Sequence, residues 1–194
     1  LKALDTKPKI EKKADTTNPK AYAFYLEAKH KYAKRENKDD TEIVRGLLNK
    51  AIELDDNLIV AKNLLGTTYI DMGDYDKTME IYTSALKQYK ELGDKQGMGD
   101  SLNVIGIVNF YKSDYDEALN YFEMSLVICE ELGDKHGMGS SLGNIAIVHA
   151  QKGDYDKALD YYGRSLAIQE ELGDKPGLGM SLSNIGGVYR NKGD

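Results

Sequence analysis

Apolar and aromatic side chains recur every three or four positions along most of the chain, which is typical of helices. One such stretch runs from about Asp74 to Glu91, and its apolar positions are Tyr75, Met79, Tyr82, Ala85, Leu86 and Tyr89. A second stretch runs from about Gly97 to Lys112 and places on one side Leu102, Ile105, Val108 and Tyr111. The alternation that marks a strand does not occur, so the pattern predicts an all-α protein.

The helical pattern itself repeats, with a step of 40 residues. The block Gly73-Asp74-Tyr75-Asp76 returns at 153–156, and at 113–116 with serine in place of glycine. Residues 113–152 and 153–192 are identical at 23 of 40 positions, so the chain is a tandem array. The segment Glu91-Leu92-Gly93-Asp94-Lys95 recurs at 131–135 and 171–175, and its glycine is expected to end a helix in a left-handed cap. The first aspartate of each Asp-Tyr-Asp block is expected to cap the helix that follows.

These positions resemble the tetratricopeptide repeat, a helix pair with Leu-Gly and Tyr on its first helix and Ala, an aromatic residue and Ala on its second. The matching residues are Leu65-Gly66, Tyr69, Thr78, Tyr82 and Ala85, then Ile105-Gly106, Asn109, Ala118, Phe122 and Ser125, and then Ile145-Ala146, His149, Ala158, Tyr162 and Ser165. The longer unit is similar to the repeats of kinesin light chains and Leu-Gly-Asn adaptors. The opening is similar to the repeat region of bacterial nucleotide cyclases and transcriptional regulators. The resemblance implies a right-handed α-solenoid of antiparallel helix pairs, a superhelix of about four and a half repeats.

The repeat boundaries divide the chain into six segments. Residues 1–17 carry several lysines and few large apolar residues, so we expect a flexible basic linker or tail. A divergent first repeat is placed at 18–57, and further repeats at 58–96, 97–136 and 137–176. Residues 177–194 are predicted to be the first helix of a truncated fifth repeat, with an exposed stripe formed by Leu178, Leu182, Ile185, Val188 and Tyr189. Because the chain begins with Leu1 rather than Met, we expect it to be an excerpt from a longer protein.

Composition and charge narrow the classes of partner. The formal net charge is −6 and the sequence pI is about 5.2, which disfavours nucleic acid and anionic membranes as partners. No apolar run approaches the roughly 20 residues of a membrane span, and no signal peptide opens the chain. The single cysteine, Cys129, excludes an intrachain disulfide and suits a reducing compartment. These observations favour a cytoplasmic protein.

The resemblance, together with the helical spacing, places a concave groove on the first helix of each pair. The residues predicted to line this groove and to bind a peptide are Asn63, Thr67, Ile70, Asp71, Asn103, Ile107, Phe110, Tyr111, Ile147, Gln151, Ser183 and Arg190. Asparagine side chains could bond to the backbone of an extended peptide, and aromatic ones could bury apolar side chains. The alternative is that Ile107 and Phe110 only pack against neighbouring helices.

Signals for catalysis, metal or cofactor binding are weak. The Gly97-Met98-Gly99 loop follows a helix rather than a strand and lacks the rest of a nucleotide-binding fingerprint. His30, His136 and His149 fall in different repeats without companion ligands, so no zinc site is predicted. Cys129 has no evident base beside it and is expected to be a partly exposed, inert thiol. We therefore predict a non-enzymatic chain without catalytic residues or cofactors.

The function these observations favour is a protein-interaction scaffold that holds an extended peptide or a partner helix in its groove. Two alternatives stay open. One is self-association, as a homo-oligomer formed through the open C-terminal face. The other makes the chain the regulatory region of a larger bacterial signalling enzyme such as a nucleotide cyclase, in which case catalysis would belong to a separate domain.

Overall fold

A computed structural model describes residues 18–193, so the linker predicted at 1–17 lies outside the described residues. The described part is all-α and contains no strand. Its helices are α1 (Pro19–Ala33), α2 (Lys38–Leu54), α3 (Ile59–Ile70), α4 (Tyr75–Leu92), α5 (Lys95–Tyr111), α6 (Tyr115–Leu132), α7 (Lys135–Lys152), α8 (Tyr155–Leu172) and α9 (Lys175–Lys192). They fall into two compact units, the first ending at Thr68 and the second beginning at Tyr69.

Unit 2 is a succession of helix pairs. Consecutive helices from α4 to α9 pack against each other, and turns of two or three residues join them. Turns this short make neighbouring helices antiparallel. We call α5, α7 and α9 the A helices and α4, α6 and α8 the B helices. This arrangement confirms the helical-repeat fold predicted from the sequence.

The glycine caps predicted between B and A helices are confirmed. Gly93, Gly133 and Gly173 have φ values of 66°, 66° and 67°, in the left-handed region that favours glycine. The next helix begins at once, because the side chain of Asp94 accepts a hydrogen bond from the backbone N–H of Gly97 at 3.2 Å. Helix α5 therefore starts at Lys95, two residues before the predicted start.

The prediction for the other aspartate caps is only partly right. Asp74 does cap α4, accepting a hydrogen bond from the backbone N–H of Lys77 at 3.2 Å. Asp114 and Asp154 occupy the same place before α6 and α8, but neither side chain makes the capping bond. For Asp154 the structure shows a competitor, because its Oδ2 lies 3.3 Å from Nδ1 of the buried His149.

The core of unit 2 lies where B helices cover A helices. One cluster of buried residues joins α6 to α7 and consists of Ala118, Phe122, Leu126, Leu142, Ile145 and Val148. The next joins α7, α8 and α9 and consists of Ala146, Ala158, Tyr162 and Val188. Val188 is therefore buried, and its predicted place in the exposed stripe of the last helix is wrong, because α9 packs this side chain against α7 and α8. Burial raises the pKa of Tyr162 to about 12, so this phenol stays neutral within its cluster at ordinary pH.

Buried serines link adjacent helices, both within a pair and between pairs. The hydroxyl of Ser125 donates to the backbone carbonyl of Gly99 at 2.9 Å, and Ser165 donates in the same way to Gly139 at 2.8 Å. Ser125 also accepts a hydrogen bond from Ser141 at 3.2 Å. These bonds satisfy polar groups that would otherwise be buried alone, and they set the register between adjacent helices.

Ser101 is the exception among the buried serines of the A helices. Its Oγ makes no hydrogen bond among the described residues, since Ala85 stands where the next repeat has Ser125, the partner of Ser141. We expect Ser101→Ala to raise the free energy of unfolding by about 1 kcal/mol, whereas Ser141→Ala lowers it by about 1 kcal/mol. Urea titrations followed by circular dichroism measure both changes. Equal losses in the two variants would show that Ser101 has a partner.

Ion pairs recur along unit 2 at a fixed spacing. Lys112 Nζ lies 2.8 Å from Asp76 Oδ1, Lys152 Nζ lies 2.6 Å from Asp116 Oδ1, and the same pair recurs between Lys192 and Asp156. The hydrogen bond from Lys152, together with its charge, holds the pKa of Asp116 below the usual value. These pairs are solvent-exposed, so we expect them to contribute little to stability and to be screened by salt.

Unit 1 contains a buried cation. The guanidinium of Arg45 donates to the hydroxyl of Thr68 at 2.9 Å and to its backbone carbonyl at 2.8 Å. A third donor of the same group contacts the carboxylate of Glu42 at 2.8 Å. The fork of donors thus ties α2 to the end of α3 within this unit.

Candidate peptide-binding surface

The A helices of unit 2 lie side by side. Helix α5 packs directly against α7, and α7 against α9, whereas no comparably extensive contact joins α4 to α6 or α6 to α8. The A helices therefore form the more closely spaced row of this unit. We call the outward-facing side of this row the A-helix face.

The predicted groove residues are distributed over both units. Asn63 and Thr67 lie on α3 within unit 1, where the hydroxyl of Thr67 bonds to the carbonyl of Asn63 at 2.9 Å. Ile70 ends the same helix and Asp71 follows it, both within unit 2. The remaining predicted residues lie on the A helices: Asn103, Ile107, Phe110 and Tyr111 on α5, Ile147 and Gln151 on α7, and Ser183 and Arg190 on α9.

An aromatic cluster occupies the end of α5. Tyr111 is 56% exposed, and its ring stacks on the ring of Tyr75, with centroids 5.3 Å apart and planes 6° apart. The Phe110 ring meets Tyr111 edge-on at 5.7 Å and lies 5.8 Å from Tyr115. Tyr75 thus holds one face of the Tyr111 ring in place, while much of the side chain stays open to solvent.

Packing accounts for much of the surface of the other predicted apolar residues. Ile107 and Phe110 are half-buried and pack against the cluster that contains Phe122. Ile147 is likewise half-buried and packs against the cluster that contains Tyr162. Ile107 and Phe110 thus pack against neighbouring helices, and Tyr111 is the aromatic side chain of α5 that exposes most of its surface to solvent.

Two asparagines meet across the A helices. Nδ2 of Asn144 on α7 donates to Oδ1 of Asn103 on α5 at 2.9 Å, and both side chains are half-buried. A carboxamide has two donor hydrogens and two acceptor positions, so this bond occupies one of the four on Asn103. The contact also orients the Asn103 carboxamide from α7, which the sequence alone did not indicate.

The polar residues predicted on α7 and α9 are exposed. Gln151, Ser183 and Arg190 all have exposed side chains, and of these only Arg190 is charged. Sequence reasoning missed Asp100, which is exposed on α5 one turn before Asn103 and accepts a hydrogen bond from Gln96 at 3.3 Å. The sequence did offer a signal for Asp100, because residues three positions apart, such as Asp100 and Asn103, are neighbours on a helix surface.

The described residues give little indication of metal binding, a reactive thiol or a membrane span. No group of three or more His, Cys, Asp or Glu side chains there could hold a metal ion. Cys129 is buried, not partly exposed as predicted, because its helix turns it against Gly137. Burial raises the pKa of its thiol, and the nearby carboxylate of Asp134 adds to the effect. Within residues 18–193, no helix has the length and apolar character that crossing a membrane requires.

The comparisons with known proteins agree with this architecture. A family model of the tetratricopeptide repeat matches residues 57–131 and 137–194. The chain therefore belongs to the tetratricopeptide repeat family. Repeat proteins of this kind use extended surfaces formed by successive helix pairs to bind other proteins. No curated protein sequence matches the chain.

Solved structures provide further likenesses. The chain is similar to aspartyl phosphate phosphatase F from Bacillus subtilis, with a TM-score of 0.75 and 22% identity over 88% of this chain and 44% of that one. It is similar to the apo form of RapI, with a TM-score of 0.74 and 17% identity over 93% of this chain and 72% of that one. BtubC from P. vanneervenii gives a TM-score of 0.67 and 21% identity over 90% and 82% of the two chains. Because the identities are low, these likenesses show the fold alone. The chain spans less than half the length of the phosphatase.

Proposed function

We propose that this chain is a non-catalytic protein-interaction scaffold and that its A-helix face binds an extended peptide or a partner helix. The observation that carries the proposal is the exposed ring of Tyr111 on the same helix as the carboxamide of Asn103. They are eight positions apart in the sequence, so they lie about two turns apart along the helix.

Tyr111 is a preordered aromatic side chain. Stacking on Tyr75 restricts the Tyr111 ring before any ligand arrives, so binding loses little further rotamer entropy there. An exposed tyrosine offers an apolar ring and a polar hydroxyl, the composition common at interface hot spots. The Asn103 carboxamide, oriented by Asn144, is suited to bond the backbone of a bound chain.

The chemistry of the face changes from one repeat to the next. Equivalent positions carry Tyr111 on α5, Gln151 on α7 and Asn191 on α9, while Arg190 stands where α5 has Phe110. A ligand lying across the A helices would therefore meet an aromatic group at one end and a cation at the other. We expect an acidic side chain in the ligand opposite Arg190, because a guanidinium binds carboxylates through paired hydrogen bonds.

Site-specific photo-crosslinking tests this function. A benzophenone amino acid replaces Gln151 on the A-helix face or, in the matched control, the exposed Val127 on α6. Both proteins are irradiated in lysate of the organism that encodes the chain. We expect a discrete crosslinked protein from position 151 only, and we expect Tyr111→Ala to reduce its yield about tenfold, since hot-spot truncations exceed about 1.4 kcal/mol.

The control for Tyr111→Ala is Met124→Ala on α6, where a side chain of similar exposure is truncated on a B helix. Circular dichroism establishes equal helicity of the variants. If position 127 crosslinks and position 151 does not, the binding surface lies on the B helices and the proposal is wrong.

The alternative role as part of a larger signalling enzyme stays a prediction, and the sequence of the encoding gene tests it.

A further inference from the structure

Each B helix of unit 2 ends in an exposed leucine. Leu92, Leu132 and Leu172 are the last residues of α4, α6 and α8, and they are 66%, 43% and 37% exposed. None of them belongs to the core clusters that contain Phe122 and Tyr162. Unit 2 therefore leaves a large apolar side chain open to solvent at the same end of three parallel helices.

The other residues of the repeated segment have structural explanations. The sequence Glu-Leu-Gly-Asp-Lys is identical at 91–95, 131–135 and 171–175. Its glycine takes the left-handed conformation that ends the B helix, and its aspartate caps the A helix that follows. Its lysine and glutamate form ion pairs between copies, since Lys95 Nζ lies 2.7 Å from Glu131 Oε2 and Lys135 pairs in the same way with Glu171. Of these five side chains, only the leucine has no such role among the described residues, although it is the same in all three copies.

Contacts between successive turns bring these leucines into one row. The ion pairs join the start of α5 to the residue before Leu132, and the start of α7 to the residue before Leu172. In addition, Nε2 of Gln96 donates to Oδ2 of Asp134 at 3.0 Å, which joins the beginning of α5, just after Leu92, to the turn that follows Leu132. We call the row of Leu92, Leu132 and Leu172 the leucine edge.

The spacing of the leucine edge suits a helix that lies across the ends of the B helices. Helices in direct contact lie about 8–10 Å apart, and the A helices of unit 2 are in such contact. The B helices form the wider row, so successive leucines are expected to lie about 10 Å apart or slightly more. On a helix, residues seven positions apart are separated by about 10.5 Å. A helix with an apolar residue at every seventh position would therefore meet all three leucines.

The charges beside the leucine edge are mostly acidic. Residues 130–135 and 170–175 each include three acidic residues and one lysine, whereas residues 90–95 include two of each. The lysine at 135 is already paired with a glutamate, while Glu130 and Glu170 are exposed and form none of the ion pairs named above. This charge attracts a cationic partner, most strongly at α6 and α8, and repels anionic membranes and nucleic acids.

We propose that the leucine edge is a second interaction surface and that it binds a basic amphipathic helix of another protein. The apolar side chains of that helix recur every seven residues and cover Leu92, Leu132 and Leu172. Its lysines or arginines lie on either side of the apolar row, close to Glu130 and Glu170. The edge shares no residue with the A-helix face, so the two surfaces are available to different partners.

Titration of a synthetic helix tests this proposal. The probe is a fluorescent peptide of about 20 residues, with leucine at every seventh position, lysine on either side of that row and alanine elsewhere. We expect saturable binding to the full chain and new hydrogen-exchange protection at the ends of α4, α6 and α8. The triple variant Leu92→Ser, Leu132→Ser, Leu172→Ser should weaken the affinity more than about tenfold, because the apolar contact is lost. The double variant Glu130→Gln, Glu170→Gln should weaken it about threefold and reduce its dependence on salt.

Matched controls separate the leucine edge from the rest of the surface. The double variant Met124→Ser, Val127→Ser removes two exposed apolar side chains nearer the middle of α6 and should leave the affinity unchanged. Tyr111→Ala on the A-helix face should also leave it unchanged, so failure of this proposal is distinguishable from failure of the proposed function. A probe with serine in place of leucine keeps its charge and should bind more than about tenfold more weakly. If the triple variant loses helicity, Leu92→Ser alone replaces it, at the most exposed of the three positions, and should weaken the affinity about threefold.

Each of the following results would overturn the proposal. Absence of binding at probe concentrations up to about 1 mM would show that the edge does not hold such a helix. Equal affinity in the triple variant, or for the serine probe, would mean that charge attraction alone accounts for the binding. A dimer in sedimentation experiments that the triple variant dissociates and the probe does not would assign the edge to a second copy. Binding to anionic lipid vesicles that the triple variant abolishes would assign it to a membrane surface.

Discussion

Phe122→Ala is expected to lower the free energy of unfolding of its repeat by about 3–5 kcal/mol. The ring is 1% exposed and belongs to the cluster that joins α6 to α7, and it also rests on the backbone of α5 at Gly106. Alanine removes the buried apolar area and leaves a cavity between three helices. Because buried serine hydrogen bonds hold those helices in register, we expect the cavity to collapse only in part.

Amide hydrogen exchange measures this loss best, since neighbouring repeats can unfold separately. We expect amides of α5, α6 and α7 to lose protection, while those of α1 and α2 in unit 1 change least. Met124→Ala is the matched control, because Met124 lies on the same helix and is 46% exposed. Its effect should stay within about 0.5 kcal/mol. Similar losses in both variants would mean that Phe122 is not the centre of this cluster.

Gly106→Ala and Gly186→Ala should change stability in opposite directions, although the two glycines are repeat equivalents. At Gly106 the added methyl group would lie 2.6 Å from the buried Phe122 ring, so we expect a loss of about 1–3 kcal/mol from overpacking. At Gly186 no described atom lies within 4 Å, and alanine favours the helix by up to about 1 kcal/mol. Urea titrations of both variants compare the two effects.

A double variant tests the assigned cause of the Gly106→Ala effect. Phe122→Leu removes the ring and gives the new methyl group room, so the losses from Gly106→Ala and Phe122→Leu should be less than additive. Strict additivity would show that the added methyl group does not act through the ring. Destabilisation by Gly186→Ala would contradict the open surroundings of α9.

The candidate site was predictable in outline but not in its contacts. Helical spacing and repeat position placed Tyr111, Gln151 and Arg190 at exposed positions of the A helices, because period and register follow from the sequence directly. The bond between Asn144 and Asn103 joins residues 41 positions apart, and it depends on how far α7 is shifted along α5. The stacking of Tyr111 on Tyr75 depends likewise on side-chain rotamers and on the angle of the intervening turn.

The sequence by itself determined the helices, their repeat of 40 residues and the places where they end, because periodicity, glycine caps and self-similarity are local properties. It did not decide that Asp154 meets His149 instead of capping its helix, or that Cys129 is buried against Gly137. Nor did it distinguish the covered Gly106 from the open Gly186. These outcomes belong to the tertiary structure, because each depends on which side chain of a neighbouring helix reaches the position, and close packing lets differences of less than an ångström decide it.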